Sequence, residues 1–354
     1  MFNFIRNIPK IKIPLLSSLY ICFDFGTANT RIAIIGKGTV LSEPTYVGLN
    51  TKTGEYIFYG KEAKEIIGKT PEFVKIVRPV VNGVVSDFDA AVSLLKYYIQ
   101  LSVFPYLNKY SFLKPSLVAI SGVPHRATEI EQRALEEVFS KLGFSESYLI
   151  EEPLACATGA GLNIMSHSPH LIVNLGAGII SLSIISGGGI VIEKTLRYGG
   201  DHMNHLIANY IYLKFGVIVG DLTCEELKLT LLSFDDQNKT SLVRGKSLEN
   251  GLPKSIRIKS SDIKEALINT FMQIADGIKE LIEMSPPEVV DDIYIGGIIL
   301  TGGLAKIPYI KSYFADELKI KCHVTENPLE ETIIGIQKIA KSEDLLRRVS
   351  MPKI

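Results

Sequence analysis

Two short segments of this chain share one plan. Residues 21–35 read ICFDFGTANTRIAII and residues 171–185 read LIVNLGAGIISLSII. Each is an apolar strand, a polar residue, one hydrophobe, a Gly-x-small-x turn and a second apolar strand. Gly26 aligns with Gly176, and Ile34-Ile35 with Ile184-Ile185. The apolar flanks, rich in β-branched residues, read as buried strands, and the glycine turns make each unit a hairpin. A unit repeated 150 residues apart predicts two related half-molecules facing one another. The chain is 354 residues long, which suits two domains of roughly 100–200 residues.

Between and after the hairpins the pattern is mixed α/β. Residues 117–123, LVAISGV, read as a strand ended by Pro124. A helix follows over about 128–142, with Thr128 and Glu131 at capping-box spacing and Gly143 as its stop. A strand at 147–150 leads into Glu151-Glu152-Pro153 and a helix containing Ala155, Ala157 and Ala160. Further helices are expected from about 201 and over about 262–284, with a strand at 256–259. IGGIILTGGLAKIP reads as an apolar strand, a double-glycine turn and a helix start.

The hairpin turns carry the chemistry. Glycines let backbone N–H groups approach a ligand closely, and consecutive free N–H groups form a nest for anions such as phosphates. Asp24 ends the first strand, where a carboxylate can hold Mg²⁺ directly or through water. Thr27, Asn29 and Thr30 add donors. With the Gly302-Gly303 turn, the two hairpins suggest a nucleotide clamped between halves. No GxxxxGK[ST] loop or GxGxxG fingerprint occurs.

Thirty-eight basic residues balance thirty-eight acidic ones, which argues against a nucleic-acid protein held by global positive charge. A 46% hydrophobic content argues against a disordered chain. The charge is unevenly spread. The first twenty residues carry Arg6, Lys10 and Lys12 and no acid, interleaved with hydrophobes and broken by Pro9 and Pro14. This reads as a basic amphipathic segment lying on an anionic membrane surface, not as a signal peptide. Cys22, Cys156, Cys224 and Cys322 form no CxxC pair and read as reduced, buried thiols of a cytosolic protein. The pairs His167/His170 and His202/His205 lack further ligands at a matching spacing, so no zinc site is expected.

From about Tyr20 to Ala340 the chain resembles MreB, the bacterial actin family that determines cell shape. The resemblance rests on DFGTANT at 24–30, GKEAKEIIGKTPEFVKIVRPVVNGVVSDF at 60–88 and LIEEPLACATGAGL at 149–162. It extends through GGDHMN at 199–204, GLPKSI at 251–256, SPPEVVDDI at 285–293 and GIILTGG at 297–303. It implies an α/β actin-like fold of the actin, Hsp70 and sugar-kinase superfamily, with ATP or ADP and Mg²⁺ in the cleft. A basic segment 1–19 would precede domain I at 20–168 and 334–354, with a small subdomain near 48–80. Domain II would span 169–333, with a small subdomain near 203–261.

By the same resemblance, Asp24, Gly26, Thr27, Ala28 and Asn29 would cradle phosphates and the ion, and Gly176, Ala177 and Gly178 would form the second phosphate loop. Glu225 and Lys228 would reach ribose or base, and Gly302 and Gly303 would pack on the adenosine side. Glu152 would position the attacking water, for a carboxylate near the terminal phosphate can orient water in line. Phe112 and Leu113 match a loop that inserts into membrane. The implied protein is cytoplasmic and peripheral on the inner face of the cell membrane. It would assemble head to tail into paired protofilaments, alone or with MreB paralogues, without binding nucleic acid. An open, heterologous contact of this kind gives filaments.

The second loop departs from the family's D-I-G-G-G-T-T. Asn174 stands for an aspartate facing the Mg²⁺ shell, Ile179 for a threonine that helps Glu152 organise water, and Ile180 for a second hydroxyl. Leu304 stands for a third glycine. These changes predict weakened metal binding and slow or impaired ATP hydrolysis. The competing reading is a small-molecule kinase or other ATPase on the same fold. It would need a catalytic acid and a substrate pocket, for which no separate motif is found. An Hsp70-type chaperone would need a substrate-binding domain.

Overall fold

A computed structural model describes residues 18–107, 115–235 and 238–352. The basic N-terminal stretch to Ser17 and the Phe112-Leu113 pair lie outside the described residues.

Both expected hairpins form. Strand Leu19–Phe25 pairs antiparallel with Asn29–Ile34, and His170–Leu175 pairs antiparallel with Ile180–Ser186. Their registers match residue for residue. Ile21 lies opposite Ile34 and Asp24 opposite Arg31, while Leu171 lies opposite Ile184 and Asn174 opposite Ser181.

The likeness extends to whole sheets. Among the described residues, one five-stranded sheet runs Gly38–Pro44, Asn29–Ile34, Leu19–Phe25, Leu117–Val123, Glu146–Glu151. The other runs Gly189–Leu196, Ile180–Ser186, His170–Leu175, Ile298–Thr301, Cys322–Val324. In each, the first three strands are antiparallel and the last two join parallel. Small three-stranded sheets flank them, one of Val47–Asn50, Tyr56–Tyr59 and Val74–Val77, the other of Val217–Ile218, Thr240–Ser247 and Pro253–Lys259.

Burial explains why the central strands are continuous hydrophobic runs. A strand covered on both faces cannot alternate polar and apolar residues. Ile21, Phe23 and Phe25 pack into one core with helices Phe88–Ser102 and Glu129–Lys141, where the Phe23 and Phe139 rings lie 4.9 Å apart. Cys22 and Ala33 turn the other way, toward helices Glu152–Gly159 and Glu331–Ala340. In the second sheet Leu171, Val173 and Leu175 face a core built with helix Ser260–Glu283, and Ile172 faces the shared helices. All four cysteines are buried thiols.

The two shared helices cross at backbone distance. A Cβ on Gly335 would lie 1.7 Å from the Ala155 carbonyl oxygen, and one on Gly159 would lie 1.9 Å from that of Glu331. Thr128 and Glu131 form the expected capping box, and Gly143 leaves the helix at φ +86°. The helix start read after Gly302-Gly303 is instead a 3₁₀ turn, Gly303–Lys306, with the next α-helix at Ile310–Leu318. Pro308 explains the break, since it has no N–H to donate and disfavours helical backbone at Ile307. Among the described residues no helix is long and apolar enough to cross a membrane.

Candidate functional site

The two hairpin turns meet at a cavity of about 590 Å³. Asp24, Gly26, Thr27, Ala28 and Asn29 line it from one side, and Asn174, Gly176, Ala177 and Gly178 from the other. Glu152, Glu225, Lys228, Gly302 and Gly303 line it as well. The structure thus brings these residues together, whereas Thr30 is buried away from the cavity and hydrogen-bonded to Thr45. Part of the lining is apolar, contributed by Leu229, Leu232, Leu304, Ile307 and Leu329.

Close backbone approach explains the glycines. A Cβ on Gly26 would sit 2.9 Å from the Asn29 carbonyl oxygen, and one on Gly176 would sit 2.6 Å from that of Ile179. The same turn is therefore built twice. Gly178 brings the halves into contact, for its Cβ would lie 2.7 Å from Thr27 Oγ1 and 2.9 Å from Asn82 Cα. Thr27 Oγ1 is already engaged, accepting from the Gly83 N–H at 2.9 Å. Gly302, at φ +87°, approaches Asn174 so closely that a Cβ would lie 2.5 Å from its Oδ1.

Asp24, Arg31, Glu152 and Lys228 are engaged within the protein. Arg31 Nη1 donates to Asp24 Oδ2 at 2.8 Å. Burial pushes the Asp24 carboxyl up, against the pull of the Arg31 guanidinium. Asn174 Nδ2 donates to Glu152 Oε1 at 2.8 Å. Burial pushes the Glu152 carboxyl up to about 7, the Asp24 charge adds to this, and the Asn174 hydrogen bond opposes it. Lys228 Nζ donates to the Gly200 carbonyl and to Asn204 Oδ1, both at 2.7 Å. Burial lowers this ammonium to about 8, opposed by Glu225 and Asp201. Two ion pairs join the halves: Lys64 of helix Gly60–Glu65 to Glu225 of helix Asp221–Leu231 at 2.8 Å, and Arg78, just after strand Val74–Val77, to Asp201 of helix Gly200–Phe215 at 2.7 Å.

Two sequence expectations change. Ile180 is fully buried in the core behind the turn and does not line the cavity, because the strand alternation that puts Ser181 on the cavity turns Ile180 away. Only Ile179 of the pair presents its aliphatic side chain there. Glu152 also accepts a hydrogen bond from Asn174, a contact the sequence did not indicate. Sequence reasoning missed Arg31, Arg78, Asp201 and Lys64. Arg31 was accessible through the hairpin register, which sets it opposite Asp24. The others are joined over 123 to 161 residues with no local signal.

The donor set is poor for a divalent cation held by the protein alone. A nucleotide-bound Mg²⁺ takes one or two carboxylates and draws its other ligands from phosphates and water. Asp24 is held by a guanidinium, Asn174 brings no charge, and the described residues contain no cluster of three or more His, Cys, Asp or Glu groups suited to a metal. A ligand that joins a polyanionic group to an apolar one matches the glycine turns and the leucines of this lining.

Comparisons with known proteins agree on one family. The model of the MreB/Mbl protein family matches residues 18–348. The cell shape-determining protein Mbl of Bacillus subtilis (strain 168) is 34% identical over 326 residues, covering 91% of this chain and 96% of the relative. The cell shape-determining protein MreB of Escherichia coli (strain K12) is 33% identical over 312 residues, covering 86% and 88%. MreB5 of Spiroplasma citri, solved bound to ADP and to AMPPNP, superposes with a TM-score of 0.86 at 32% identity, covering 92% of this chain and 96% of that one. A MamK double helical filament shares the fold, with a TM-score of 0.75 at 18% identity. With its duplicated sheets and opposed glycine turns, the chain has the actin-like fold and belongs to the MreB/Mbl family of cell shape-determining proteins.

Proposed function

We propose that this chain binds ATP and ADP in the cleft between the hairpins, polymerises head to tail on the inner membrane surface, and hydrolyses ATP slowly or hardly at all. The observation that carries the reading is the pair of matching glycine turns closing on one cavity, Gly178 against Thr27. Backbone N–H groups of residues 26–29 and 176–178 would hold the phosphates, and the apolar wall near Leu304 would receive the base. The nucleotides named with the Spiroplasma relative support it.

The slow hydrolysis follows from what surrounds Glu152. One carboxyl oxygen is taken by Asn174 Nδ2, and a group near pH 7 in its titration is only partly ionised at neutral pH. Ile179 offers no hydrogen-bonding group where a second contact to water would form. Loss of one positioning donor at a reacting centre costs on the order of 10²–10³ in rate. Phosphate release should therefore be very slow and should rise in Ile179→Thr. Vigorous turnover in the unaltered chain, unchanged by Ile179→Thr, overturns the hydrolysis reading.

Polymerisation is checked by pelleting and electron microscopy with and without ATP, where a monomer under all conditions counts against it. Membrane contact is checked by liposome co-sedimentation. Removing residues 1–19 together with Phe112→Ser and Leu113→Ser should abolish binding, and unchanged binding rejects the surface.

A further inference from the structure

Arg31 lies in the wall of the cavity with only 11% of its side chain exposed, and it holds Asp24 with Nη1 at 2.8 Å. Its Nε is buried and has no hydrogen-bond partner among the described residues. The guanidinium presents several donors in a planar fork suited to phosphate oxygens. The hairpin repeat shows how particular this is, because the matching place in the second half holds Ser181 opposite Asn174. One half thus carries a carboxylate and a guanidinium where the other carries an amide and a hydroxyl.

We infer that Arg31 is a built-in cation for the ligand's phosphates and takes over the charge-neutralising part of a divalent ion. A metal at Asp24 would compete with Arg31 for a single carboxylate charge, because Oδ2 already accepts from the guanidinium at 2.8 Å. Asn174 contributes no charge to hold such an ion. The arrangement therefore favours a polyphosphate that reaches the site without a tightly held metal, its negative charge met by Arg31 and by the turn N–H groups.

The inference rests on the nucleotide reading above, and the test separates the two. ADP binding is titrated by calorimetry in excess MgCl₂ and in excess EDTA, using the full chain. We expect the dissociation constant to change by less than about tenfold between the two conditions. A loss of about tenfold or more in EDTA overturns the inference while leaving the nucleotide reading intact. No binding in either condition overturns the nucleotide reading and this inference with it.

A second arm uses Asp24→Asn with Arg31→Gln, which removes both charges together and leaves neither stranded. Affinity in EDTA should fall by about tenfold or more relative to the unaltered chain. Unchanged affinity overturns the role of Arg31. Where the double variant does not fold, the comparison of the unaltered chain in MgCl₂ and EDTA decides alone.

Discussion

At the scale of single residues, the site is governed by atoms that have no room. Gly178→Ala would place a methyl 2.7 Å from Thr27 Oγ1 and 2.9 Å from backbone at Asn82, so the two turns must separate. This overpacking should cost about 1–3 kcal/mol of stability and weaken nucleotide binding, both measurable by thermal unfolding with and without ADP. Glu152 makes a pH prediction. Its carboxyl rises from 4.5 to about 7 on folding, so between those values the folded chain holds a proton that the unfolded chain has released. The associated stability is complete below pH 4.5 and is lost as pH rises through about 7. Urea unfolding at pH 5 and pH 8 should therefore show Glu152→Gln with a flatter profile than the unaltered chain. The difference should be on the order of 1–3 kcal/mol, reduced by solvent at the cavity face.

These residues also mark where the sequence could be read. Asp24 and the glycines could be read because the same strand–turn–strand unit recurs 150 residues further on, where a single glycine turn would pass for a plain hairpin. Arg31 could not, since arginine in a strand usually reads as a solvated edge. Its meaning comes only from the cross-strand pairing with Asp24. The Asn174 hydrogen bond to Glu152 was hidden because the two lie 22 residues apart on different elements.

At the scale of elements, local rules were reliable wherever they were local. The Thr128/Glu131 box caps helix Glu129–Lys141 as its spacing implied. Thr128→Ala should lower stability by about 1 kcal/mol without touching the cleft, seen as a shifted urea midpoint with nucleotide affinity unchanged. The crossing of helices Glu152–Gly159 and Glu331–Ala340 was not legible, because glycine within a helix says nothing about which distant backbone it admits. Gly335→Ala drives a methyl into the Ala155 carbonyl. It should cost at least about 3 kcal/mol or prevent folding, which circular dichroism and thermal melting would report. Retention of the original melting temperature would show that the helices separate freely.

At the scale of the whole molecule, the repeat seen in 21–35 and 171–185 unfolds into two sheets of the same order and pairing. That was readable because strands buried on both faces must be continuous hydrophobic runs. The straps across the cleft were not, since Lys64–Glu225 and Arg78–Asp201 join segments more than a hundred residues apart. Partly exposed pairs of this kind are worth about 0.2–1 kcal/mol each. Lys64→Ala with Arg78→Ala should speed nucleotide dissociation by roughly fivefold at low salt, an effect that shrinks at high ionic strength. Stopped-flow release of a fluorescent nucleotide measures it, and a rate equal to that of the unaltered chain at every salt concentration removes the straps from the account.

The glycine crossing has a mechanical corollary. Where two helices touch through backbone, no compressible side chain lies between them, so neither can slide along the other without collision. The halves are then joined as by an axle, free chiefly to turn about one line. Under the nucleotide reading proposed above, a ligand longer by one phosphate would change the angle between the halves.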